Sequence, residues 1–129
     1  MSTGQIILYA LIALILFNYL RKYLNTRKIE HHDAAGISKR MKSSNNLLLL
    51  DVRTEPERKK GHIKGSVHIP LNQLRRRQKE LEKFKNKEIV CYCRNGNRSL
   101  NAAVYLQKNG FNASNLKGGI VSWNYQNHR

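Results

Sequence analysis

The first twenty residues carry no charged side chain, and residues 6–17, IILYALIALILF, are apolar without interruption. Such a segment has two destinations, the interior of a domain or the interior of a bilayer. From Gly4 to Leu24 it runs about 21 residues, roughly 30 Å as a helix, which matches the hydrocarbon thickness of a membrane. A core helix of a small domain carries a polar stripe, and this segment has none over its centre. A cleaved secretory signal carries positive charge before the apolar run and a small-x-small site after it. Here Arg21 and Lys22 come after the run, and NYLRKYLNTRK contains no such site. Residues 1–24 are therefore expected to form a single-pass transmembrane anchor, touching lipid through residues 4–24. Tyr19 and Tyr23 suit the interfacial belt, and Arg21 and Lys22 can snorkel to headgroups. The positive-inside rule then places Arg21, Lys22, Arg27 and Lys28, and the soluble part with them, in the cytoplasm.

The rest of the chain is strongly basic. Twenty-four Lys and Arg oppose eight Asp and Glu, a formal charge of +16. That excess favours acidic partners: nucleic acid, anionic lipid or small anions. The runs RRRQK (75–79) and KFKNK (83–87) lack the interleaved aromatics of a nucleic-acid surface, so no nucleic-acid partner is expected. Attraction to the anionic cytoplasmic leaflet, or gathering of small anions, is the simpler reading, with a merely solvating face as its alternative. Two cysteines in a C-x-C pair build no disulfide framework and suit a reducing compartment.

Residues 25–36, NTRKIEHHDAAG, look like a hydrated tether. His31 and His32 are adjacent and cannot share a helix face, and no further ligand set stands near them in the sequence, so no metal site is expected there. Residues 37–129 look globular. GISKRMKSS predicts a short helix with Ile37 and Met41 on one side. Leu47–Leu50 is apolar at every position and ends in Asp51, the pattern of a strand buried on both faces. SVHIP and KEIVCYC predict further strands. LNQLRRRQKELEKF and RSLNAAVYLQKNG predict helices, the second with Leu100, Ala103, Val104 and Leu106 inward and Gly110 closing it. FNASNLKGGIVSWNYQ offers a last strand, a glycine turn and a partial helix. Strand–helix alternation of this kind predicts an α/β domain with a mainly parallel sheet.

The chemistry concentrates in residues 91–99, CYCRNGNRS. Cys93 falls where a buried strand ends, the edge of an open α/β sheet at which ligands bind. The residues that follow, Arg94, Asn95, Gly96, Asn97 and Arg98, can turn back so that successive N–H groups point at one spot. Gly96 permits positive φ, and asparagine tolerates the left-handed region better than most residues. A nest of N–H groups at a helix N-terminus binds anions. A thiol there falls below its ordinary pKa of about 8.5, with Arg94 and Arg98 expected to assist. Such a thiolate needs no histidine base. The same cradle would hold an anionic sulfur bound to Cys93, a persulfide.

Four segments in order now resemble the rhodanese family, over roughly residues 37–127. LLLLDVR is similar to its strand ending in Asp-Val-Arg. GHIKGSVHIPL resembles Gly-His-Ile-x-Gly-Ala-x-x-Ile-Pro. CYCRNGNRS resembles the active-site loop, with Cys93 at the nucleophile position, and LKGGIVSW resembles the Gly-Gly-x-x-x-Trp terminus. The resemblance implies a rhodanese-like sheet flanked by helices on both faces, and sulfur transfer through a persulfide on Cys93. It implies a small anionic sulfur donor such as thiosulfate, a thiol acceptor or cyanide, and no metal or other cofactor. It names no protein partner. A non-catalytic, membrane-tethered rhodanese-like module is the alternative. Rhodanese-like phosphatases carry a loop one residue longer than the six from Cys93 to Arg98, which disfavours phosphoryl chemistry. Three positions depart from the family pattern. Arg58 stands where Phe or Tyr is frequent, Pro56 comes one place late, and Ser66 replaces Ala.

Asp51 and Arg53 are expected to support the site structurally, Asp51 orienting the loop and Arg53 pairing with Glu57. His62 reads as a hydrogen-bonded structural histidine, Cys91 as a small buried side chain rather than a resolving thiol, and Trp123 as core or rim packing.

Overall fold

A computed structural model describes residues 1–127 and leaves aside the side chains of residues 25–27. Arg27, one of the expected flanking cations, and residues 128–129, the end of the expected domain, thus lie outside the described side chains. The first element is one long helix, α1 (Thr3–Arg27). Its stretch Thr3–Leu24 is long and apolar enough to cross a membrane, and none of it is buried against the rest of the chain. An N-terminal signal sequence would pass the same test of length and composition.

The remainder is an α/β layer structure. Five strands, β1 (His31–His32), β2 (Leu47–Asp51), β3 (Val67–His68), β4 (Glu88–Tyr92) and β5 (Ala113–Leu116), form a sheet of order β1-β5-β4-β2-β3. Every pairing is parallel. The period-two alternation of β2 and β4 explains why the sheet needs cover on both sides. Leu48, Leu50, Ile89 and Cys91 face a core closed by α4 (Leu74–Arg77), the flanking 3₁₀ turns, and α5 (Asn97–Lys108). Leu49, Val90 and Tyr92 face a second core with Ile37 of α2 (Ala34–Ser43) and Ile120 of α6 (Gly119–Asn127). Each fully buried Leu or Ile contributes about 2 kcal/mol through area removed from water.

The expected fold class, a parallel sheet with helices on both faces, is the one observed. Two local expectations change. Part of the segment 25–36 is tied into the fold: Ile29 is buried, β1 pairs with β5, and Asp33 caps α2 by accepting the Gly36 N–H. A two-residue strand has no periodicity to betray it, and its hydrogen bonds come from a segment more than eighty residues away. The helix expected over LNQLRRRQKELEKF is broken into 3₁₀ turns at Leu71–Gln73 and Gln78–Phe84 around the single α turn of α4. Buried Leu74 and Leu81 anchor it, while Arg75 lies over the Tyr105 ring and Arg77 pairs with Glu80. The short helix α3 (Glu55–Lys59) accommodates Pro56 in its first turn, where the missing N–H has no intrahelical partner to lose, and Thr54 and Glu57 form a capping box at its start.

Candidate active site

β4 is the middle strand, and Cys93 is the first residue beyond it. The chain then turns sharply: Gly96 has φ +115° and is the N-cap of α5. That conformation admits glycine and strains other residues. The turn brings the Gly96 N–H to 3.1 Å from the Cys93 Sγ. Ser99, buried in the first turn of α5, places its hydroxyl 3.3 Å from the same sulfur. Burial pushes the Cys93 thiol up, but the Ser99 hydroxyl and the backbone N–H groups of Ser99, Gly96 and Asn95 outweigh it, and the thiol is held below its ordinary range. Arg94, Asn95 and Asn97 are exposed on the outer side of the turn.

The start of α6 fastens the loop from below. The Ile120 N–H donates to the Cys93 carbonyl at 2.9 Å and that of Val121 to the Arg94 carbonyl at 3.3 Å. Gly119 makes this approach possible. Its φ is +58°, and a Cβ there would lie 2.4 Å from the Cys93 carbonyl oxygen and 2.5 Å from that of Arg94. The glycine pair thus acts on the cysteine loop although it lies more than twenty residues downstream.

Arg98 does not lend the sulfur a free charge. Its guanidinium makes a bidentate pair with Glu57 at 2.6 and 2.9 Å, and this pair is the main reason the Glu57 carboxyl falls to about 2. The expected partnership of Arg53 with the Glu57 carboxylate is therefore replaced. Arg53 meets only the Glu57 carbonyl, at 3.4 Å, and its own charge pairs with Asp51 through Nε at 3.0 Å and Nη2 at 2.9 Å. Asp51 is fully buried and also accepts the Tyr92 hydroxyl at 3.1 Å and Arg58 at 3.3 Å. Burial raises its carboxyl, yet Arg53 and Arg58 more than compensate and keep it below the usual range. Asp51 and Arg53 thus form a buried brace under the neighbouring strand ends, and the hydrogen bonds of Asp51 go to Arg53, Arg58 and Tyr92 rather than to the loop.

Two departures from the family pattern turn out to be partners. Arg58 donates to the Ser66 hydroxyl at 2.7 Å and to the Ser66 carbonyl at 2.9 Å, and the Ser66 hydroxyl also meets the Ile63 carbonyl and the Tyr92 hydroxyl. The serine supplies an acceptor that alanine lacks, so an arginine fits where an aromatic ring is frequent.

His62 is exposed, and among the described residues it has no hydrogen-bond partner of the structural kind expected. With Arg53, Glu57, Lys60, Gly61, Ile120 and Asn124 it lines a cavity of about 340 Å³ that shares Glu57 and Ile120 with the loop's supports. Cys91 is fully buried one face-repeat before Cys93, and burial in apolar surroundings pushes its thiol far up. Trp123 packs at the edge of the second core. Among the described residues Glu30, His32 and Glu88 gather ligand atoms within 4.8 Å of one another, so the fold assembles neighbours for His32 that the sequence does not place nearby. The Glu88 oxygens already accept from His32 and Ser114 at 2.7 Å and from Arg40 at 2.9 Å, an arrangement that reads as an ion-pair cluster.

The model of one protein family, the rhodanese-like domain, matches residues 34–126. The chain belongs to that family. The matched segment begins at α2, after the apolar helix. A sulfurtransferase of Allochromatium vinosum is 35% identical over 92 residues, covering 70% of this chain and 84% of that protein. The crystal structure of a rhodanese-related protein from Thermoplasma volcanium superposes with a TM-score of 0.68 at 34% identity, over 75% of this chain and 92% of that one. A thiosulfate sulfurtransferase of Pseudomonas aeruginosa shares the fold, with a TM-score of 0.70 at 20% identity over 78% of this chain and 20% of its own.

Sequence reasoning located Cys93 and the loop 94–98 in one place, and the structure keeps them together. It overlooked Ser99, Asn115 and His31 as neighbours of the site, and assigned Glu57 to Arg53 rather than to Arg98. Ser99 carried a usable signal, since it follows the loop directly and faces the strand end one turn into α5. Asn115 and His31 carried none.

Proposed function

We propose that this chain is a membrane-anchored sulfurtransferase that moves sulfane sulfur through a persulfide on Cys93. The observation that carries the proposal is the Cys93 sulfur seated at the end of β4 under the Gly96 N–H and the Ser99 hydroxyl, with its thiol held low. Kinship to a sulfurtransferase of Allochromatium vinosum supports the same chemistry. The Cys93 thiolate attacks the outer sulfur of thiosulfate. Its S–S bond breaks, sulfite leaves with the bonding pair, and a persulfide forms. The N–H groups of residues 95, 96 and 99 hold the negative outer sulfur as they hold the thiolate. An acceptor thiolate, or cyanide in an assay, then attacks that sulfur and returns Cys93 as thiolate. Lys60, in the cavity beside the loop, favours approach of an anionic donor. Arg94, exposed at the mouth, serves the same end.

Thr3–Leu24 anchors the domain, with Arg21 and Lys22 on the cytoplasmic side and the basic outer face near anionic lipid. Intact mass of the full chain in detergent, after incubation with thiosulfate, tests the chemistry. A gain of one sulfur, ~32 Da, reversed by a thiol and absent in Cys93→Ser, is expected. No gain on a reduced Cys93 would point instead to a non-catalytic module.

A further inference from the structure

The hydroxyl that touches the Cys93 sulfur is the first link of a longer chain. The Ser99 Oγ lies 2.6 Å from the Asn115 Oδ1, and the Asn115 Nδ2 lies 3.0 Å from the His31 Nδ1. Cys93, Ser99 and Asn115 are buried, whereas His31 is exposed. A single line of polar atoms therefore connects the reactive thiol, at the centre of the sheet, to a solvent-facing imidazole on the edge strand β1. Beyond Ser99, nothing in the proposed sulfur chemistry uses it.

Each member has a limited supply of protons, and that makes the line directional. With a neutral thiol, the Cys93 S–H donates to Ser99, the Ser99 O–H to the Asn115 carbonyl, and an Asn115 N–H to an unprotonated His31 Nδ1. The Ser99 proton is then committed away from the sulfur. With a thiolate, that proton is wanted by the sulfur. The line can satisfy it only by reversing: His31 Nδ1–H donates to the Asn115 carbonyl, the turned amide donates to Ser99, and Ser99 donates to the thiolate. An amide presents a donor or an acceptor to either neighbour by turning over. The reversed line is open to the Nδ1–H tautomer of a neutral His31 and compulsory for an imidazolium, whose two nitrogens both carry protons, while the proton that leaves the sulfur goes to solvent. β5, the strand paired with β1, carries no titratable side chain, and Lys117 follows its end. On its own strand His31 is flanked by Glu30 and by His32, which is held by Glu88. On the loop and α5 side stand Arg94, exposed on the outer side of the turn, and Arg98, already paired with Glu57.

We infer that His31 is a positioning residue of the Cys93 site, whose protonation orients Asn115 and Ser99 to stabilise the thiolate. The inference rests on Cys93 as the reacting thiol. It also gives β1 a role: the strand that follows the apolar helix carries the outer end of the line.

The test is a titration of thiolate absorbance in the full chain in detergent, taken as the difference from Cys93→Ser. His31→Gln keeps hydrogen-bonding capacity and removes the charge. It should shift the Cys93 midpoint up by about one pH unit, a roughly tenfold smaller thiolate fraction below the midpoint, the size of one charge-assisted hydrogen bond. Asn115→Ala should give the same shift, and the double variant should add nothing to either. Glu30→Gln, beside His31 but outside the line, should not raise the midpoint. A His31→Gln midpoint equal to wild type, or single shifts that simply add, would overturn the inference. If Asn115→Ala fails to fold, the contrast of His31→Gln with Glu30→Gln decides alone. Sulfur loading from thiosulfate is scored separately. An intact titration shift without loading overturns the donor and keeps the line, and normal loading with an unmoved titration overturns the line and keeps the donor.

Discussion

Two thiols stand two residues apart on one strand and meet opposite surroundings. Cys91 lies within β4, flanked by β2 and β5, and burial drives its pKa far up. Cys93 is as inaccessible to solvent, yet its thiol is held low. Cys91 lies deeper and has nothing to offset the cost of burial, whereas Cys93 has donors that outweigh it. The strand interior spends its N–H groups on the neighbouring strands, so a sulfur there meets no released N–H group. Just past the strand end, N–H groups are released from the ladder, and the turn through Gly96 aims them at the sulfur. The same step along the chain separates a thiol pushed up from one held low.

The largest effect should come from removing each thiol in turn. Cys93→Ser should abolish sulfur loading, while Cys91→Ala should keep it and cost about 1 kcal/mol of stability from the small void left behind. Intact mass and denaturant unfolding read the two outcomes. Equal losses of loading would erase the contrast between the sites.

Gly119→Ala attacks the fastening rather than the sulfur. A Cβ there meets two loop carbonyl oxygens at 2.4 and 2.5 Å. Destabilisation of about 2–4 kcal/mol is expected, with loading slowed because the loop must move. Urea midpoints together with loading rates would check it.

Ser99→Ala should bring Cys93 part of the way toward Cys91. Losing a donor to the thiolate raises its pKa, so loading at neutral pH should fall roughly tenfold and recover as pH rises past the new midpoint. A rate–pH profile reads this directly.

Glu57→Gln should have the smallest effect. The carboxyl lies at about 2 in the folded chain against an ordinary 4.5, so the Arg98 pair stabilises fully above the ordinary value and is lost as pH falls through about 2. The pair is partly exposed, and removing it should cost about 1 kcal/mol at neutral pH, with the gap to wild type closing in acid. Unfolding midpoints across that range measure it. The Cys93 titration should move less than in Ser99→Ala, because hydrogen bonds rather than the Arg98 charge hold the thiol low.

The sequence by itself determined whatever rests on local pattern. The uncharged apolar run specifies a helix of membrane length. The unbroken apolar stretches Leu47–Leu50 and Ile89–Cys91 specify strands buried on both faces, and hence a parallel sheet under two layers of helix. The cysteine, the asparagines and the glycine at a strand end specify a turn that concentrates N–H groups. Only the tertiary structure decided which distant side chains meet. Glu57 takes Arg98 across 41 residues, and His31 reaches Asn115 across 84. It also drew His31–His32 into the sheet beside β5, where the sequence suggests a loose tether. A local pattern reports which face of an element is apolar. It does not report which strand lies next to which, and every long-range polar partnership in this site follows from that order.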